Sequence, residues 1–233
     1  MTLVGEGLRE ALRLLLTGDR EVWRITLLSV QVSGCATLLS LLAGIPLGTV
    51  LALARFPGRG LAISLVNTGM GLPPVVVGLF VTILLWRNGV FGALEILYTP
   101  VAMVIAQLII AAPIVTGLTL AAVQQVPEQF RLQMLGLGAS RVQMVGMLLR
   151  EARLPMLAAV MAGFGGVISE VGASMMVGGN IKNSTRVLTT ATVLETSKGN
   201  FDVAIALSVI LLVITFLVNW ALTWIQQQRA RQT

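Results

Sequence analysis

The chain has 233 residues, of which 56% are hydrophobic, 11% charged and 5% aromatic, and its mean hydropathy is +0.89. Soluble domains carry roughly 25% charged residues, so an ordinary water-soluble globule is excluded. Histidine is absent and Cys35 is the single cysteine, which removes His-based metal sites, Ser-His and Cys-His catalysis and any internal disulfide. The formal charge of +6 fits arginines in membrane-flanking loops and calls for no nucleic acid partner.

In chain order, the first segment, residues 1–24, contains GLREALRLLLTGD. Leu8, Leu12, Leu15 and Leu16 share one helical face there, and Arg9 and Arg13 another. This reads as a short helix lying in the membrane interface, or as an amphipathic end without a role. No cleavable signal is expected, because acids mix with the arginines and the next apolar run is too long for one. Charge-free stretches follow at 25–54, 60–86, 96–127, 154–169 and 203–228. A crossing needs roughly 20 apolar residues. The stretch at 154–169 is long enough only once Glu170 is admitted and the run continues to Gly178. The expected fold is all-α: a single transmembrane domain over 1–233 with about five spans. Four spans with 154–178 re-entrant is the alternative.

Lys and Arg orient the chain only slightly. One side collects Arg55, Arg59, Arg131, Arg141, Arg150, Arg153, Arg229 and Arg231. The opposite side ties with it only by counting the N-terminal arginines, among which acids interleave; without them it holds Arg87, Lys182, Arg186 and Lys198. The first side is read as cytoplasmic.

The spans carry prolines beside glycines. Pro46 and Pro113 are expected to kink helices and shape the bundle. Pro73 and Pro74 remove two successive backbone donors and are expected to line a cavity. Gly34, Ala36, Gly44 and Gly48 suit close helix packing, with Cys35 among them as a small packing residue.

Residues 124–153 form the most informative polar segment. Its arginines and glutamines exclude burial in lipid, while Leu132, Leu135, Leu137 and then Val142, Val145, Leu148 and Leu149 recur at helical spacing around Gly136 and Gly138. The pattern predicts a cytoplasmic helix–turn–helix with an apolar ridge flanked by arginines, suited to a protein groove, or else packed on its own bundle.

This loop resembles the cytoplasmic coupling segment of ATP-binding-cassette importer permeases. Gly138 and the following Ala139-Ser140-Arg141 match the glycine and its successors in that segment. Leu132-Gln133-Met134 stands where the family has Glu-Ala-Ala, and Leu154-Pro155 is displaced beyond REAR. A second stretch, GGVISEVGASMMVGGNI followed by TRVLTTATVLETSKGNF, is similar to tungstate-type permeases and more distantly to molybdate and sulfate permeases, as is ALARFPGRG…NTGMGLPPVVVGL to the tungstate branch. The resemblance covers roughly residues 20–225. It implies the type I importer permease fold and import of an oxyanion such as tungstate, with molybdate or sulfate as alternatives. It also implies a multi-pass inner-membrane homodimer, two ATPase subunits and an external substrate-binding protein. Gln133, Leu137, Gly138, Ala139, Ser140 and Arg141 are the coupling residues it implies.

The residues themselves are compatible with that picture. No GxxxxGK[ST] loop is present, so the chain holds no nucleotide of its own, needs no cofactor or metal, and is not expected to be an enzyme. Glu170 is the one carboxylate inside an expected span and a functional candidate by default. It is read as a structural brace satisfied by backbone donors, with a gate element as the alternative. Ser169, Ser174, Gly172, Gly178, Gly179 and Asn180 offer hydroxyls and backbone N–H groups that suit an oxyanion path or gate, together with Pro73 and Pro74. A secondary transporter would need repeated halves and an ion site, and a membrane enzyme a cluster of catalytic groups; neither pattern is visible.

Overall fold

In the computed structural model, residues 3–230 are described, and every regular element among them is helical. Helix α1 (Leu3–Leu16) precedes α2 (Arg20–Leu53), which Asp19 starts by accepting the Glu21 and Val22 N–H groups, both at 3.0 Å. Next come α3 (Arg59–Met70), α4 (Pro74–Leu85), a 3-10 turn at Gly92–Leu94 and α5 (Pro100–Gln124). The chain continues with α6 (Glu128–Gly136), α7 (Arg141–Glu151), α8 (Arg153–Ile168), α9 (Gly172–Gly178), α10 (Leu188–Ser197) and α11 (Phe201–Ala230).

Three helices, α2, α5 and α11, are long and apolar enough to cross a membrane singly. The expected crossing at 60–86 is instead two helices bent by 101° between Met70 and Pro74. The crossing at 154–178 is not one rod either. Helix α8 follows α7 at a 68° bend and stops at Ile168; Ser169–Glu170–Val171 break the helix before α9. Hydropathy alone cannot show such breaks, because the apolar composition runs straight through them.

The proline expectations divide. Pro46 and Pro113 both lie inside continuous helices. Pro73 and Pro74 stand at a helix start, where the N–H groups they lack would have had no helical partner. Pro73 is the N-cap and Pro74 the first residue of α4, where a helix leaves its N–H groups unpaired in any case.

Helix α5 is central, touching α2, α3, α4, α8 and α9. Its tightest partner is α2, through Gly44 and Gly48. A Cβ at Gly48 would stand 2.5 Å from the Thr116 carbonyl oxygen and 2.8 Å from Thr119 Cβ, and one at Gly44 2.7 Å from Val115 Cγ1. Ala36 is fully buried on the same helix. A Cβ at Gly34 would meet nothing within 4 Å and Cys35 is exposed, so neither packs against α5 within this chain. Gly48→Val is therefore expected to separate α2 from α5, by about 1–3 kcal/mol or more of overpacking. Gly34→Ala should leave stability unchanged or raised. The melting temperatures of the two detergent-solubilised variants check the contrast.

One core, containing Val32, Val77, Val81, Met103, Ala106, Val167 and Val177, joins α2, α4, α5, α8 and α9. A second, with Val22, Ile25, Leu188, Ala191, Leu207 and Ile210, joins α2, α10 and α11. Helix α1 packs on α11 through Gly7, where a Cβ would meet Ile205 Cγ2 at 2.3 Å, and through buried Ala11. Leu8 and Leu12 point outward and stay exposed. The side chains of Leu15, Leu16 and Arg229, and the whole of Arg231, lie outside what is described.

The α2–α3 turn, the α6–α7 hairpin and the end of α11 share one end of the bundle. Leu53 and Ala54 line one groove with Arg131 and Arg141, and Gln226 Nε2 donates to the Leu154 carbonyl at 3.4 Å. Val90 and Leu137, each 80% exposed, are separated by a single long helix, α5. Cysteines placed singly there in a Cys35→Ser background are expected to label from opposite sides of the membrane. Same-side labelling would mean that α5 does not cross.

Candidate functional site

The turn between α6 and α7 is built almost wholly by the backbone. Helix α6 ends with Gly138 in the left-handed region at φ +81°. The Gly138 N–H then donates to the Leu135 carbonyl and the Ala139 N–H to the Met134 carbonyl, both at 3.0 Å. This is the Schellman arrangement that closes a helix on a glycine. Ser140 at once opens α7: its hydroxyl accepts the Gln143 N–H at 3.3 Å, and the Gln143 side chain accepts the Ser140 N–H at 2.8 Å. The Gly-Ala-Ser string is thus a helix stop, a spacer and a helix start.

The apolar ridge expected along this hairpin splits in two. Leu132, Leu135, Leu137 and Val142 are exposed, the last at 83%. Leu148 is fully buried, and half-buried Leu149 packs against Ala122, Val123 and Ala152. The second helix therefore roots the hairpin in the bundle while the first helix and the turn face outward. Gln133 and Arg141 are exposed and Ala139 is half-buried. Arg131 and Arg141 flank a groove of about 450 Å³ running to Val50 and Leu53 at the end of α2.

The second cluster surrounds the α8–α9 break. Glu170 is 8% exposed, and its Oε1 accepts the Ala173 N–H at 2.8 Å. The Glu170 carbonyl accepts the Thr189 hydroxyl at 3.0 Å, tying the break to α10. Ser174 is buried and its hydroxyl meets Gln107 Nε2 on α5 at 3.4 Å. The Gly178 carbonyl accepts the Thr185 hydroxyl, which in turn accepts the Ile181 N–H at 3.0 Å. Asn180 Nδ2 donates to the Thr190 carbonyl at 3.3 Å. The Gly179 N–H closes on Met175 at 2.9 Å. Exposed Ser169 donates back to the Gly165 carbonyl at 2.8 Å. Gly172 packs against Val75 of α4.

These residues are brought together, but most of their polar groups are spent inside the protomer. Sequence reasoning missed Gln107, Thr185, Thr189 and Tyr98, whose N–H donates to the Val177 carbonyl at 2.9 Å. Gln107 carried a signal, a carboxamide inside a charge-free apolar run; it is 3% exposed, and its Oε1 has no partner among the described residues.

The opposite end of the bundle is charged. Glu21 at the start of α2 pairs with Lys182 at 2.8 Å and Arg186 at 3.4 Å. At the α10–α11 turn, hydrogen bonds from Asn200 and then Lys198 hold the Glu195 carboxyl below the usual glutamate range.

A multi-helix membrane domain with broken spans and an exposed helical hairpin at one end is the architecture of a transport-system membrane subunit. Residues 44–231 match the binding-protein-dependent transport system inner membrane component family, and the chain belongs to it. It is a multi-pass membrane protein and a permease. It is 38% identical over 228 residues to the tungstate uptake system permease protein TupB of Peptoclostridium acidaminophilum, covering 98% of this chain and all of that one. It is 41% identical over 200 residues to a probable anion ABC transporter permease protein of Haloferax volcanii, covering 84% of this chain and 86% of that one. Among solved structures, the MetNI methionine ABC transporter in an inward-facing conformation aligns with a TM-score of 0.73 at 19% identity, covering 93% and 97% of the two chains. The fold is thus that of type I ABC importer permeases.

Proposed function

We propose that this chain is the permease subunit of an ATP-driven importer of tungstate. The observation that carries the substrate is the 38% identity to a tungstate permease over nearly the whole of both chains. Two copies form the pathway, an external binding protein delivers the oxyanion, and two ATPase subunits supply the energy. The chain itself holds no cofactor and hydrolyses nothing.

Docking of the ATPase falls to Gln133, Leu137, Gly138, Ala139, Ser140 and Arg141. Leu137 and Val142 present apolar surface to a partner groove, and Arg131 and Arg141 frame it. Apolar anchors rimmed by charge suit the recognition of a helical element by a groove. The α8–α9 break, stitched by Glu170, Ser174 and Thr189, is a rigid support beside the pathway, with Ser169 on its exposed side. Pro73 and Pro74 set the direction of α4 against that support.

The test is uptake by cells that lack the chain and are complemented with it, with tungstate, molybdate and sulfate supplied singly and in competition. Tungstate accumulation that neither competitor abolishes at equal concentration is expected. Preference for molybdate or sulfate would move the substrate to those branches, and accumulation without the ATPase would overturn the energy source.

A further inference from the structure

Helix α3 packs on the bundle yet has no buried residue at all. It meets α5 along one edge, where Gly69 lies against Pro113, and Val66 and Met70 lie against Gly117. A second face carries Leu61 and Leu65, 67% and 64% exposed. A third face carries Ser64 and Asn67, one turn apart by helical spacing and both exposed. The neighbouring Thr68 hydroxyl is already spent on the Ser64 carbonyl at 2.8 Å. The Ser64 hydroxyl and the Asn67 carboxamide have no hydrogen-bond partner among the described residues.

Depth makes that face unusual. Arg59 anchors the start of α3 by donating its Nε to the Leu51 carbonyl at the end of α2, 2.7 Å away. Asn67 lies eight residues further, about 12 Å along the axis, within the charge-free apolar run 60–86. A carboxamide there cannot face lipid without leaving its donors and acceptor unmet. It must meet water or another chain.

We propose that Ser64 and Asn67, repeated on a second copy of this chain, line the water-filled route and offer neutral hydrogen-bond donors to the passing oxyanion. This rests on the oxyanion-importer reading. The chemistry favours passage over capture. The carboxamide supplies two N–H donors and the hydroxyl one, and no carboxylate lies on α3 to repel an anion. The helix's one cation, Arg59, is engaged at its inner end. Neutral donors bind a dianion weakly enough to release it, as conduction requires. The two leucines on the adjoining face turn toward lipid.

The test uses the permease assembled with its ATPase and binding protein in proteoliposomes. Single cysteines replace Leu61, Ser64, Leu65 and Asn67 in a Cys35→Ser background, and a charged methanethiosulfonate is the probe. Ser64→Cys and Asn67→Cys are expected to react and to lose tungstate uptake on reaction, while Leu61→Cys and Leu65→Cys stay unmodified. Asn67→Asp should lower uptake by about ten-fold or more, since a fixed negative charge there opposes the anion. Asn67→Ser should retain uptake, with equal amounts of assembled complex. Four results would overturn the assignment: unreactive cysteines at 64 and 67, reactive ones at 61 and 65, a spontaneous disulfide between copies at 67 that excludes the reagent, or normal uptake by Asn67→Asp. Labelling needs no tungstate. A wild-type complex that labels as expected but takes up no tungstate supports the lined face and counts against the proposed substrate.

Discussion

Gly138→Val is expected to abolish ATP-driven uptake while the chain still inserts and folds in the membrane. Bulk is not the reason, because nothing lies within 4 Å of a Cβ at this position. The reason is the backbone: φ is +81°, a region that costs an ordinary L-residue roughly 1–2 kcal/mol and a β-branched one more. Helix α6 has only nine residues, too few to resist that strain, so the Schellman closure gives way and the exposed Leu137 loses its aim. Gly138→Asn, which tolerates the left-handed region, should keep most of the activity. Co-purification of the ATPase with each variant, beside uptake, separates lost docking from lost expression. Equal ATPase binding and uptake by the valine variant would remove this turn from the coupling path.

Glu170→Ala is the second large effect. It leaves the buried Ala173 N–H without its acceptor, which costs about 1–3 kcal/mol, and it frees the start of α9. Uptake and the melting temperature of the solubilised protein should fall together, the latter by several degrees. Glu170→Gln keeps an oxygen in place at the same reach and should retain substantial uptake. If the glutamine variant is inactive but melts normally, the charge itself takes part in gating, and its role is more than holding the break.

The sequence made the spans legible because removing charge from 20 or more residues leaves few options besides a membrane. It also made the turn legible, since glycine and serine around Ala139 carry a stop and a start signal for helices. The breaks were only partly readable. The bend after Met70 has proline and glycine at its vertex, whereas the one at Ser169 is written in long-range contacts. Thr189 ties the break itself and Gln107 and Thr185 hold the short helix after it, and a hydroxyl some twenty residues away leaves no periodic trace. The division of the hairpin's leucines was equally hidden. Leu132 and Leu149 look alike in composition, and only the docking of α7 on Ala122, Val123 and Ala152 separates them. Polar residues on apolar helices were the signal left unused: Gln107 lies buried against Ser174 inside the bundle, and exposed Ser64 and Asn67 carry the face of α3 proposed above to meet water.

The hairpin's construction has a consequence for how such a protein can change. Its angle depends on main-chain bonds, one glycine and the Ser140–Gln143 pair, while the side chains aimed outward take no part in holding it. Leu132, Gln133, Leu137 and Val142 can therefore vary without disturbing the bracket that presents them. Leu132 and Gln133 are exposed, and the hairpin closes on main-chain bonds without any contact from their side chains. If the hairpin docks the ATPase as proposed, rewriting its exposed positions would re-match the chain to a different motor while the hinge piece stays as it is.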